Sequence, residues 1–224
     1  HMAMALTTPA YSNGWDTAAE GLVHHLRSPY QYREGEEGMT DAEFLEVLAK
    51  DMEDTIEEIG ADNIAGFFAE PIMGAGGVLV APDGYHKRMR KITSSYDIMY
   101  VADEVVTAWG RLGEMFASED IYGMLPDIIC TAKGITSGYQ PLSATIISDE
   151  IYEVISGPDA MFSHGMTYSG HPAACAAGLA NIEILEKEDI PRRVKTTGKI
   201  FENALRGLDD LDVVGEVRGS HFMM

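Results

Sequence analysis

From residue 40 onward, short apolar runs alternate with amphipathic stretches of helical period, and that alternation restricts the chain to an α/β fold built on a mainly parallel sheet. Thr40 followed by Glu43 is a capping box that opens a helix reaching about Gly60. Residues 65–72 (AGFFAEPI), 97–105 (DIMYVADEV), 127–132 (DIICTA) and 142–148 (LSATIIS) read as buried strands. Pro82-Asp83 announces a helix to about Tyr96, and Asp149-Glu150 places acid at another helix start, where the dipole favours it. Residues 170–188 are small and Ala-rich, as in a tightly packed helix, and 190–208 form a second amphipathic helix. Such a sheet is covered on both faces, and its ligands bind beyond the carboxyl ends of its strands. The first forty residues lack this rhythm: Thr7-Thr8-Pro9, Ser12-Asn13-Gly14 and Ser28-Pro29 are turn chemistry, so the stretch is predicted irregular.

Charge removes several function classes. The 224 residues carry 16 Lys and Arg against 36 Asp and Glu, a net charge of −20. Phosphate backbones require clustered cations, so nucleic acid is not a partner, and an anionic membrane surface is equally disfavoured. No run of about 18 apolar residues is present to span a bilayer. Two cysteines, Cys130 and Cys175, supply neither a disulfide framework nor metal spacing, which suits the reducing cytoplasm. The pair His24-His25 cannot readily share one metal, and no G-x-S-x-G elbow supports a serine hydrolase.

The strand ends carry the candidate chemistry. Asp103 closes an otherwise apolar run; an acid there needs a cation or a donor, or serves simply as a helix cap or a structural ion pair. Lys133 closes the next run between Ala132 and Gly134. An amine beside a buried strand gains nucleophilicity when desolvated, though a snorkelling lysine is the plainer reading. Gly74-Ala75-Gly76-Gly77 allows close approach of a ligand or an anion, or forms a turn. Thr167-Tyr168-Ser169-Gly170 ahead of the Ala-rich helix offers hydroxyls and amides to a phosphate, or supplies an N-cap.

Taken in order, Glu70-Pro71-Ile72, Gly74 to Gly77, Asp103-Glu104-Val105, Gly110-Arg111-x-Gly113, Pro126-Asp127, Lys133-Gly134 and Thr167-Tyr168-Ser169-Gly170 are more specific than any one of them. Asp103 and Lys133 lie 30 positions apart, and Lys133 and Thr167 lie 34 apart. This order closely resembles the class III, or ω-amino-acid, aminotransferases, from about residue 5 to residue 224. The resemblance implies fold type I of the pyridoxal 5′-phosphate (PLP) dependent transferases, a three-layer α-β-α large domain of which part is present. It also implies transfer of an amino group between an amine or ω-amino acid and a keto acid such as pyruvate. Aminomutase, racemase or decarboxylase outcomes on the same scaffold, or a piece without catalysis, are the alternatives.

By the same resemblance, Lys133 is the Schiff-base lysine and Asp103 the partner of the pyridinium nitrogen. Val105 packs on the ring face, Thr167 binds phosphate across a dimer interface, and Glu70 sits near ring and substrate. A homodimer or higher homo-oligomer is implied. Met73 stands where relatives often have Gln, and Trp109 where they have Phe. The resemblance places residues 1–185 in the central part of the PLP-binding domain and 186–224 in a linker helix and the start of a small domain. A phosphate loop, a ring-stacking aromatic and a carboxylate-binding arginine are expected outside these 224 residues.

Overall fold

The computed structural model describes residues 2–15 and 21–224. The first forty residues hold three helical turns, α1 (Met2–Leu6), α2 (Pro9–Ser12) and α3 (Gln31–Glu34), where irregular chain was predicted. Helix α4 (Asp41–Ile59) starts as its sequence requires: Thr40 Oγ1 accepts from the Glu43 N–H, and the Glu43 carboxyl accepts from the Thr40 N–H at 2.8 Å. The chain continues through β1 (Gly66–Ala69), α5 (Tyr85–Ser95), β2 (Met99–Asp103), α6 (Ala117–Asp120) and β3 (Ile128–Thr131). It ends with β4 (Ala144–Ile147), α7 (Asp149–Ile155), α8 (Pro172–Lys187) and α9 (Ile190–Arg206). One start differs from expectation: Gly84 in the left-handed region, not Pro82 or Asp83, precedes α5. Asp149 and Glu150 fall in the first turn of α7 as expected, and Ser148 caps it through the Ile151 N–H.

The four strands pair in chain order. β1, β2 and β3 are parallel, with Phe67 opposite Tyr100 and Ala102 opposite Ile129, and β4 returns antiparallel to β3. Helices α4 and α5 cover one face: Phe44, Leu48, Met52 and Ile56 meet Tyr85, Met89, Ile92, Tyr100 and Ala102 in the main core. The opposite face is covered only in part among the described residues: Val101 on it is 4% exposed. Phe68 and Met99, which alternate onto it, are 48% and 43% exposed. Apolar residues on both faces of β1 mark a buried strand, and among the described residues Phe67 packs against the main core while Phe68 stays largely exposed. Helix α8 instead packs where its small residues allow. A Cβ at Gly178 would lie 2.9 Å from the Leu142 side chain, whereas Leu179 and Ile184 on its other side are exposed.

Asp127 joins α5 to the entrance of β3. The Arg90 guanidinium donates to both carboxylate oxygens at 2.5 and 2.7 Å, and the Tyr100 N–H donates to one of them at 2.6 Å. This bidentate, half-buried pair sets where β3 begins relative to β2, and so where both strands end. None of the helices is long and apolar enough to cross a membrane, among the described residues.

Candidate functional site

The parallel register brings three predicted residues to one edge of the sheet. Ala69 pairs with Ala102 and Asp103 with Cys130, so Glu70, Asp103 and Lys133 follow one another across the carboxyl ends of β1, β2 and β3. The Glu70 carboxyl accepts from the Gly74 N–H at 2.8 Å. Burial pushes its pKa up, and the negative charge of Asp103 adds to this. The Gly74 hydrogen bond and the positive charge of Lys133 oppose the shift. Asp103 and Lys133 thus both act electrostatically on Glu70.

Asp103 is half-buried, and its Oδ1 accepts from the Val105 N–H at 3.0 Å. It caps no helix and forms no ion pair among the described residues, so neither plain reading of this acid is realised. The thiol of Cys130, beside it in the register, is pushed up by burial and then by the Asp103 charge. Val105 is half-buried immediately beyond the strand.

Lys133 opens a 3₁₀ turn, Lys133–Thr136, with φ at +45°, and its side chain is exposed rather than enclosed. That turn is gripped from outside. Asn181 of α8 donates to the carbonyls of Gly134 at 2.8 Å and Ile135 at 3.2 Å, and accepts from Ser137 Oγ at 2.7 Å. On the other side, the Trp109 indole N–H donates to Thr131 Oγ1 at 2.7 Å. Thr167 stands apart in the exposed stretch 158–171, with no hydrogen bond to Glu70, Asp103 or Lys133. Neither Thr167 nor Ser169 caps α8, whose N-cap is His171 followed by Pro172.

The Gly74 to Gly77 segment is an ordered turn closed by a bridge between Met73 and Leu79, with 3.0 Å hydrogen bonds in both directions. Its Gly74 N–H is committed to Glu70, and the Gly77 carbonyl accepts from Arg218 at 2.9 Å. Met73 packs within this turn, beside Gly76.

Glu104, next to Asp103, is the deeply buried acid, 0% exposed. Its carboxyl accepts from the N–H groups of Ala117 and Ser118 and from the hydroxyls of Thr107 and Ser118, fixing the chain from β2 to α6. Strand alternation carried the signal, because adjacent residues Asp103 and Glu104 must face opposite ways. Asn181 carried none, since an Asn in an Ala-rich helix is equally suited to solvent.

A cleft of about 390 Å³ between α9 and the 112–122 segment, lined in part by Leu112, Tyr122, Lys195 and His221, includes none of these residues. No group of three or more His, Cys, Asp or Glu able to hold a metal occurs among the described residues.

Comparison with known proteins decides the family: the aminotransferase class-III family model matches residues 1–224. The chain belongs to the class III aminotransferases. It is 45% identical over 205 residues to the putrescine–pyruvate aminotransferase of Pseudomonas aeruginosa, covering 91% of this chain and 44% of that protein. It superimposes on an (S)-enantioselective ω-transaminase from Thermomicrobium roseum with a TM-score of 0.93 and 44% identity, over 98% of this chain and 49% of that one. For the ω-transaminase of Pseudomonas jessenii in complex with PMP the TM-score is 0.91 at 35% identity, with the same coverage. The fold is therefore that of the PLP-dependent transaminases. The class III chain described here spans less than half the length of these relatives.

Proposed function

We propose that this class III chain takes part in PLP-dependent transfer of an amino group between an amine or ω-amino acid and a keto acid such as pyruvate. One observation carries the reading: an acid without an ionic partner and a lysine without one end adjacent parallel strands on the same side of the sheet, among the described residues. One acid and one amine so placed fit the two ends of a pyridine aldehyde, a cation-forming ring nitrogen and an electrophilic carbonyl. The putrescine–pyruvate relative supports the choice of amine and keto acid.

When bound, PLP supplies an electron sink that stabilises negative charge at the substrate carbon. The chain's residues do the rest. Asp103, its carboxylate oriented by the Val105 N–H at 3.0 Å, would keep the ring nitrogen protonated. Lys133 would hold the aldehyde through Nζ and would move a proton at the substrate carbon. Val105 bounds one ring face. Glu70, its carboxyl held by Gly74, borders the substrate. Thr167 serves the phosphate of a second copy in a homodimer or higher homo-oligomer. The exposed Met161, Phe162, Met166 and Tyr168 around it support such association. Residues 1–185 belong to the central part of the PLP-binding domain, and 186–224 to a linker helix and the start of the small domain. The two free cysteines suit a cytoplasmic setting.

The exposure of Lys133 favours a second reading for these 224 residues in isolation, namely weak or no turnover. The test is reduction with borohydride after incubation with PLP, followed by peptide mass analysis. A pyridoxyl adduct is expected on Lys133 and absent in Lys133→Ala. Equal labelling of both proteins would refute the assignment. Stoichiometric conversion of pyruvate to alanine as amine is consumed distinguishes transamination from isomerisation or decarboxylation.

A further inference from the structure

Lys133 occupies a left-handed backbone conformation, φ +45°, that non-glycine residues hold only where surrounding structure imposes it. The side chain of Trp109 touches the chain on both sides of that residue. Two positions before Lys133, Thr131 is 1% exposed, and its hydroxyl accepts from the indole N–H at 2.7 Å. One position after it, a Cβ at Gly134 would lie 2.8 Å from the Trp109 Cβ and 3.1 Å from its Cδ1, so the ring is a wall against the turn. Trp109 is itself immobilised. Its own φ is +63°, its N–H donates to the Met115 carbonyl at 2.7 Å, the Gly110 N–H donates to Glu114 at 2.9 Å, and its ring lies 5.2 Å from that of Phe116.

We propose that Trp109 is a positioning residue for Lys133, acting through the indole–Thr131 hydrogen bond and the wall against Gly134. This rests on the assignment of Lys133 as the cofactor lysine. Packing alone would need only a ring. The hydrogen bond adds a fixed direction, because the buried Thr131 hydroxyl ends β3 where the turn begins.

The experiment compares Trp109→Phe, which keeps a ring and removes the donor, with Thr131→Val, Thr131→Ser and the Phe/Val double variant, all in the full chain. Two readouts are taken: the rate at which borohydride-trapped pyridoxyl adduct accumulates on Lys133, and amide hydrogen exchange in residues 131–137 without PLP. Trp109→Phe and Thr131→Val are each expected to slow the adduct about fivefold and to raise exchange similarly, the worth of one neutral hydrogen bond. The double variant should be no worse than either single, and Thr131→Ser should behave as wild type. Wild-type rates and exchange in both singles, or losses that multiply in the double, would overturn the proposal. If Trp109→Phe fails to fold, the Thr131→Val and Thr131→Ser pair decides. Absence of any adduct on wild-type Lys133 would count against the cofactor assignment, and the exchange readout would still judge Trp109.

Discussion

His86 on α5 is 3% exposed, with its Nδ1 2.9 Å from the Tyr100 hydroxyl and its Nε2 3.0 Å from the Pro71 carbonyl. A carbonyl only accepts, so Nε2 carries the proton and Nδ1 accepts from Tyr100. The rings of Tyr85 and Tyr122 close the remaining sides. Burial moves the pKa of this imidazole from 6.5 down to about 4, only partly offset by the Pro71 bond. The unfolded chain therefore takes up a proton first as the medium is acidified, and stability falls as pH drops from 6.5 towards 4. A displacement of that size is worth about 3 kcal/mol when fully developed, of which about 2 kcal/mol is lost between pH 7 and 4.5, roughly half of it by pH 5.5. Urea unfolding followed by circular dichroism at pH 7, 5.5 and 4.5 measures this in wild type and in His86→Gln, which cannot titrate. The variant starts less stable but should lack this component of the acid loss. Glu70, whose pKa is raised, and Glu202, whose pKa is lowered, contribute to both proteins and cancel in the difference. Parallel losses in the two proteins would refute the buried, neutral assignment of His86.

Two further outcomes follow from the buried acids. Glu104→Ala strands two backbone N–H groups and two hydroxyls in the interior and should cost roughly 3 kcal/mol or more, with Glu104→Gln costing less because one acceptor survives; a urea-derived loss for the alanine variant below about 1 kcal/mol would contradict this. Burial alone would raise the Glu202 carboxyl, but the His221 N–H, Lys199 and Arg206 bring it down to about 2. Its contribution is present above the unfolded value of 4.5 and is lost as pH falls towards 2, so Glu202→Gln should lower stability at pH 7 and flatten the loss below pH 4.5. An unchanged midpoint at pH 7 would show that these bonds contribute nothing net.

Local patterns were legible where local physics decides. The Thr40–Glu43 capping box, the alternation of strands and helices, and the helices at 172–187 and 190–206 appear close to their predicted positions. The same pattern located Glu70, Asp103 and Lys133 at strand ends, because parallel strands connected through helices finish on one edge. Coverage of the sheet was not legible. Apolar residues at Phe68 and Met99 record that a face needs burying without saying which segment buries it. The grip on the Lys133 turn was equally hidden, since Asn181 and Trp109 lie 48 positions after and 24 before that lysine.

By itself the sequence determined the α/β class, the family and the order in which an acid and an amine reach the sheet edge, since periodicity, capping and motif spacing are properties of neighbouring residues. Only the tertiary structure decided that Glu104 faces inward to four donors while Asp103 faces the edge, and that Trp109 and Asn181 clamp the turn of Lys133. Those choices depend on which distant atoms meet once the strands register, and a hydrogen bond across dozens of residues leaves no mark on the local pattern.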